Sequence, residues 1–261
     1  MHLGVNTKRG GLLQRKFIEK SLIFMKIITL KDKAELIKYY SKYSKVISEF
    51  FEINDDTLSV ENFCKKAITG STYRSFHKID SESGDGMSKI FKLVASDFYT
   101  KNPTNDTERS EFMDGLKKRS KGKFKNWSPD DAGMPKLFKI YNLYAAYWVA
   151  FNQKGSFDSK RKSISKLKVP LDKYSLTFIR DLYNTCCDTD FKLDGNLSMG
   201  KVKSVKHYES INQFIDILCK SVSKEIGIEF FPIYLDIIQV ECNGLNWYSN
   251  VTKKSRELKR K

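Results

Sequence analysis

Along most of this chain apolar residues return every three or four positions, the spacing that gathers them on one face of an α-helix. Leu36, Tyr39, Tyr40, Tyr43, Val46, Ile47, Phe50 and Phe51 predict a helix over residues 30–53, broken by Asn54-Asp55-Asp56-Thr57. Ser59 is placed to cap a second helix carrying Val60, Phe63, Cys64, Ala67 and Ile68, with Gly70 as its stop. A polar loop at residues 80–86 follows, then a third helix over 87–99 with Ile90, Phe91, Val94, Ala95 and Phe98 on one face. Glu108 to Lys118 reads as one more short helix, and Ser128-Pro129-Asp130-Asp131 as the lead-in to another that begins in earnest at Pro135.

That helix is apolar on most sides, through Leu137, Phe138, Ile140, Tyr141, Tyr144, Ala145, Tyr147, Trp148, Val149 and Phe151, and belongs at the centre of the fold. Residues 159–167 predict a short basic helix ended by Pro170, because proline biases its predecessor away from helical geometry. Leu171 to Tyr183 is amphipathic, residues 188–203 form a long loop, and 204–226 carry the cleanest stripe, stopped by Gly227. Pro232 restarts what reads as the final helix, with a frayed basic tail behind it.

Alternation with period two is nearly absent, so the expected fold is all-α, a multi-helix globular fold. The expected organisation is a basic N-terminal extension (1–24), an N-terminal helical layer (25–79), a main helical domain (87–251) and a basic tail (252–261). The first 24 residues read as a presequence or as an extension ahead of a start at Met25.

Composition changes the picture in one respect. With 40% hydrophobic residues the chain can build a core, yet 47 Lys+Arg against 31 Asp+Glu leave it at +16. A sum that large favours polyanions, nucleic acid first, over other partners; a Lys-rich background composition is the bland alternative. The densest cations are Lys117, Lys118, Arg119, Lys121, Lys123 and Lys125, interleaved with Phe124 and followed by Trp127. Phosphates need cations and unpaired bases need flat partners, so this patch is an expected nucleic-acid contact, although charge runs are as often solvated faces. Lys160, Arg161 and Lys162 of the short basic helix extend the expected set. No apolar run is long enough to span a bilayer, so no membrane partner is expected.

Familiar chemistry is sparse. Five cysteines without metal spacing argue against a disulfide framework or a zinc site, and fit a reducing intracellular setting, cytoplasm or nucleoid, nucleus or organelle. Phosphate-cradling glycine loops are missing, no metal or cofactor is expected, and His207, one of three histidines, reads as a surface or boundary residue. Asp-Lys pairs such as Asp172-Lys173 fall on predicted helix, not on the strand that a restriction-type Mg²⁺ nuclease would use.

One stretch has a recognisable order of parts. VPLDKYSLTFIRDLYN, a polar loop, VKHYESINQFIDILCKSVSKEIGI and FFPIYLDIIQV follow one another between residues 169 and 240. In that order and spacing the segment resembles the C-terminal half of the helix-hairpin-helix DNA glycosylases, most nearly their 8-oxoguanine branch. The resemblance covers residues 150–240, and the first 130 do not share it. It implies a DNA-binding enzyme of base-excision repair that flips out a damaged base and breaks its N-glycosidic bond, with Schiff-base lyase activity in members carrying a catalytic lysine. Residue by residue it implies Asp172 as the carboxylate and, 18 positions earlier, Lys154 as the amine. Asp236, a lone acid in an apolar segment, becomes the expected base or ligand contact. The chain departs from the family where its glycine-containing hairpin should stand: Phe151-Asn152-Gln153 precede Lys154, which leaves Lys160, Lys162 or Lys166 as substitutes, and Val240 replaces the usual Trp. Two readings from other classes stand beside this one: a non-catalytic helical nucleic-acid-binding protein of a phage, mobile element or host-defence system, and a divergent Mg²⁺-dependent nuclease.

Overall fold

A computed structural model describes residues 28–54, 87–98, 101–122, 130–131, 133–186 and 191–259. Among these residues the fold is all-helical, with no strand: α1 (Lys33–Phe51), α2 (Met87–Phe98), α3 (Asp106–Ser120), α4 (Met134–Phe151), α5 (Phe157–Ile164), α6 (Lys173–Cys186), α7 (Val205–Ile226), α8 (Pro232–Cys242) and α9 (Trp247–Lys259). The helix predicted from Ser59, the loop at 80–86, the Ser128 start, Met25 and the N-terminal extension lie outside the described residues.

Local chemistry accounts for the boundaries. Asp32 accepts the Glu35 N–H and starts α1, Asn105 accepts those of Thr107 and Glu108 and starts α3, and Ser204 accepts that of His207 and starts α7. Gly227 ends α7 at φ +69°, a left-handed conformation that a side chain would strain. Helix α5 stops at Ile164, six residues before Pro170, so the proline is not what ends it.

The apolar α4 runs through the core as the sequence predicts. Tyr144, Phe151 and Val149 are fully buried, and Phe112 of α3 stacks on Tyr144 with Phe91 of α2 at its edge. Helix α1 packs against α8 and α9, and also touches α4, α5 and α7. The expected N-terminal layer is therefore no separate layer in its described part: α1 is built into the main body.

The C-terminus departs most from expectation. Residues 247–259 form a ninth helix, not a frayed tail. Glu241 accepts the Ser249 N–H and hydroxyl at its first turn, Tyr248, Thr252 and Ser255 are buried at helical spacing, and Arg256 pairs with Glu49 of α1 at 2.7 Å. The tail's six closely spaced cations hide this short buried stripe from a composition-based reading.

Candidate active site

Helix α6 begins where Asp172 can cap it. Its Oδ1 accepts the N–H groups of Tyr174 (2.8 Å) and Ser175 (3.0 Å), while Ser175 Oγ accepts the Asp172 N–H at 2.7 Å. This reciprocal arrangement satisfies the free donors of the first turn and aims a carboxylate at the positive end of the helix dipole. The other oxygen, Oδ2, meets Lys139 Nζ at 3.3 Å. The two side chains are 17% and 16% exposed, shielded enough to strengthen the pair and open enough to be reached.

Lys139 stands in the second turn of α4, whose start is set by Gly133 and Pro135. One turn further along, Asn142 donates to the Val169 carbonyl at 3.2 Å and to the Tyr208 hydroxyl at 2.8 Å. That amide ties the segment before Asp172 to α4. Lys168, paired with Asp216 of α7 at 2.7 Å, ties it a second time, and Val169 and Leu171 are buried. The approach of Asp172 to Lys139 is thus held by side chains on two helices, α4 and α7. Burial also pulls the ammonium of Lys136, one turn before Lys139, below its ordinary range.

A second carboxyl in the core feels the charges of Asp172 and Lys139. Asp236 of α8 is 4% exposed and accepts hydrogen bonds from the Tyr248 hydroxyl of α9 and from Gln239 Nε2 at 3.1 Å. Burial pushes it up from 3.8 to about 7; the Asp172 carboxylate pushes the same way, while the bonds from Tyr248 and Gln239 and the charge of Lys139 pull back. Tyr248 and Tyr147 are themselves pushed well above the ordinary tyrosine range, first by burial and then by Asp236. Phe50 of α1 closes the network, edge-on to both tyrosines.

Several expected site residues therefore take other places. The amine beside Asp172 is that of Lys139 and not Lys154, which is exposed in the turn between α4 and α5. Lys160 has no exposed surface: its Nζ donates to the carbonyls of Phe51 (2.6 Å) and Ala150 (3.1 Å) at the C-terminal ends of α1 and α4, so it cannot touch a phosphate in this structure. Arg161 is drawn into pairs with Glu229 (3.4 Å) and Asp158 (3.5 Å). Asp236 is buried in the core, 4% exposed.

Lys162, Lys117, Lys118 and Lys121 are exposed, and Arg119, also exposed, pairs with Asp97 at 2.9 Å; Lys123 and Lys125 lie outside the described residues. Lys117, Lys118 and Arg119 occupy the last turn of α3, where cations already suit the dipole. His207 is buried and stacked on Phe191, and burial keeps its imidazole below the usual range.

Sequence reasoning missed Lys139, Gln239 and Tyr248. For Lys139 a signal existed: it is the only charged residue between Leu137 and Phe151, inside the apolar stretch of that helix. Gln239 and Tyr248 had no signal of their own, because what distinguishes them is contact with Asp236. Among the described residues no group of three or more His, Cys, Asp or Glu side chains is arranged to hold a metal ion, and no helix is long and apolar enough to cross a membrane. Comparison of the chain with family models, curated proteins and solved structures finds no match.

Proposed function

We propose that this protein is a DNA base-excision glycosylase with lyase activity, using Lys139 as nucleophile and Asp172 as the carboxylate beside it. The observation that carries the reading is the pair itself: an amine 3.3 Å from a helix-capping carboxylate, in a shielded but accessible position. The order of segments from Val169 to Val240 and the charge of +16 support it independently.

The chemistry uses what these two groups supply. A nucleotide flipped from the duplex presents its C1′ to the Lys139 amine. As the N-glycosidic bond lengthens, the base leaves with the bonding pair and takes up a proton, and positive charge grows on the sugar. The Asp172 carboxylate, fixed by two backbone N–H groups, offsets that charge without having to reorganise. The neutral amine forms the C1′–N bond and gives up both its protons. One goes to solvent, in exchange for the proton the departing base takes up. The other goes to O4′ as the C1′–O4′ bond breaks and the ring opens, giving an imine. With that imine protonated, loss of a C2′ proton to solvent forms the C2′–C3′ double bond as the 3′ phosphate leaves with the C–O bonding pair, which breaks the strand. Exposed Lys117, Lys118, Lys121 and Lys162 supply cations for the phosphate backbone.

The test uses duplex oligonucleotides bearing an abasic site, or a panel of lesions led by 8-oxoguanine, with sodium borohydride present. The wild type is expected to form a covalent adduct, Lys154→Gln to keep it, and Lys139→Gln and Asp172→Asn to lose at least about a hundredfold in rate. An adduct retained in Lys139→Gln would overturn the assignment of the nucleophile. Salt-sensitive DNA binding with neither adduct nor base release would sink the enzyme and leave a nucleic-acid-binding module.

A further inference from the structure

Most arginines among the described residues are engaged by carboxylates: Arg119 by Asp97, Arg161 by Asp158 and Glu229, Arg180 by Asp181 and Arg256 by Glu49. Arg109 of α3 is the exception. Its half-buried guanidinium lies over the Tyr141 ring of α4, 5.5 Å from the centroid, with no carboxylate paired to it among the described residues. The ring is itself fixed, buried and donating its hydroxyl proton to the Pro103 carbonyl. An aromatic face holds the planar fork of an arginine in place and leaves its edge N–H groups free to donate.

Arg109 and Tyr141 line a small, partly open cleft, and Lys166, two residues past α5, lines it too. The Lys166 ammonium donates to the Thr104 carbonyl at 3.1 Å, which uses one of its three protons and leaves two. Asp106 is the only acid of the lining and is exposed, so the cations outnumber it. A lining this polar differs from the apolar pockets that take small organic ligands. A preorganised fork beside a lysine suits the several oxygens of a phosphate. The place of the cleft says which phosphate. Asn142 lines it one turn along α4 from Lys139, and Leu167 lines it five residues before Asp172, so two segments join it to that pair.

We propose that this cleft is a phosphate subsite of the nucleic-acid interface, in which Arg109 and Lys166 together grip one backbone phosphate of the strand presented to Lys139. The identity of that strand rests on the reading of the chain as a DNA enzyme; no step of the chemistry is needed for the cleft itself. A charge of +16 favours a polyanion over a lone phosphorylated metabolite.

The test measures binding without turnover. A duplex carrying a tetrahydrofuran in place of one nucleotide has no base to lose and cannot form an imine. Its affinity is followed by fluorescence anisotropy between about 50 and 200 mM salt. Arg109→Gln and Lys166→Gln are each expected to weaken binding at least about threefold at the lower salt. The double variant should lower the slope of log affinity against log salt by about 0.9, the value for one phosphate. A fall of about twice that would mean two separate phosphates and overturn the shared subsite. Arg109→Lys keeps the charge but not the fork, so it should keep the slope and still bind more weakly; full wild-type affinity there overturns the role of the fork.

Unchanged affinity and slope in the double variant overturn the proposal, as does weaker binding at an unaltered slope, which would place the effect in the fold. A wild type that binds no DNA brings down this subsite and the enzyme reading together. If the slopes change as expected but no adduct forms with abasic DNA, the subsite stands and the glycosylase reading falls.

Discussion

Lys160 and Lys162 are two residues apart, carry the same charge and have opposite fates. Lys162 is exposed, whereas Lys160 spends its ammonium on two helix-end carbonyls, where a cation also meets the negative end of each dipole. Replacing Lys160 with Ala leaves both carbonyls without that donor and removes three buried methylenes and the ammonium. Urea unfolding should show a loss of about 3 kcal/mol or more, against less than about 0.5 kcal/mol for Lys162→Ala. Equal effects of the two substitutions would show that the buried amine is not a structural tie. For Lys139 the residue scale reads differently: the salt bridge to Asp172 is shielded, and its partner is already committed to capping α6.

At the scale of elements, α9 is the piece whose loss tells most. It covers Asp236 through Tyr248, meets Phe50 and Tyr147 in the core, and joins α1 through Arg256 and Glu49. A chain ending at residue 246 uncovers that face and strips Asp236 of one hydrogen-bond donor. Far-UV circular dichroism during heating should show a broad transition, with the midpoint lowered by at least about 10 °C. A sharp transition at the full-length midpoint would mean that α9 only rests on the surface.

For the whole molecule the informative variable is pH. Asp236 titrates at about 7 in the fold and near 3.8 when exposed. Between those values the folded state keeps a proton that the unfolded state has released, so this group's contribution to stability is fully present below about pH 4 and is lost as pH rises to about 7. Asp236→Asn removes that dependence. Its melting temperature relative to wild type should therefore climb between pH 5 and 8, by about 5 °C or more, while other titrating groups cancel in the difference. A constant difference over that range would mean that Asp236 is ionised throughout.

How much of this was legible in the chain depends on what each feature rests on. The helical class, the burial of α4, the Ser204 cap and the Gly227 stop follow from spacing and backbone chemistry within a few residues, and these the sequence determined by itself. Asp172 as a helix-starting acid belongs to the same kind, because a cap is a local bargain between a side chain and the next three N–H groups. Partnership is different. Lys139 and Asp172 are 33 residues apart, Tyr248 and Asp236 come from two more helices, and the buried Lys160 faces carbonyls contributed by α1 and α4. Which lysine meets which carboxylate depends on how helices cross, and a lysine-rich sequence offers many amines of similar local character. Only the tertiary structure could choose among them, since burial, and not residue type, decides whether a charge is a tie, a reagent or a solvated ornament of the surface.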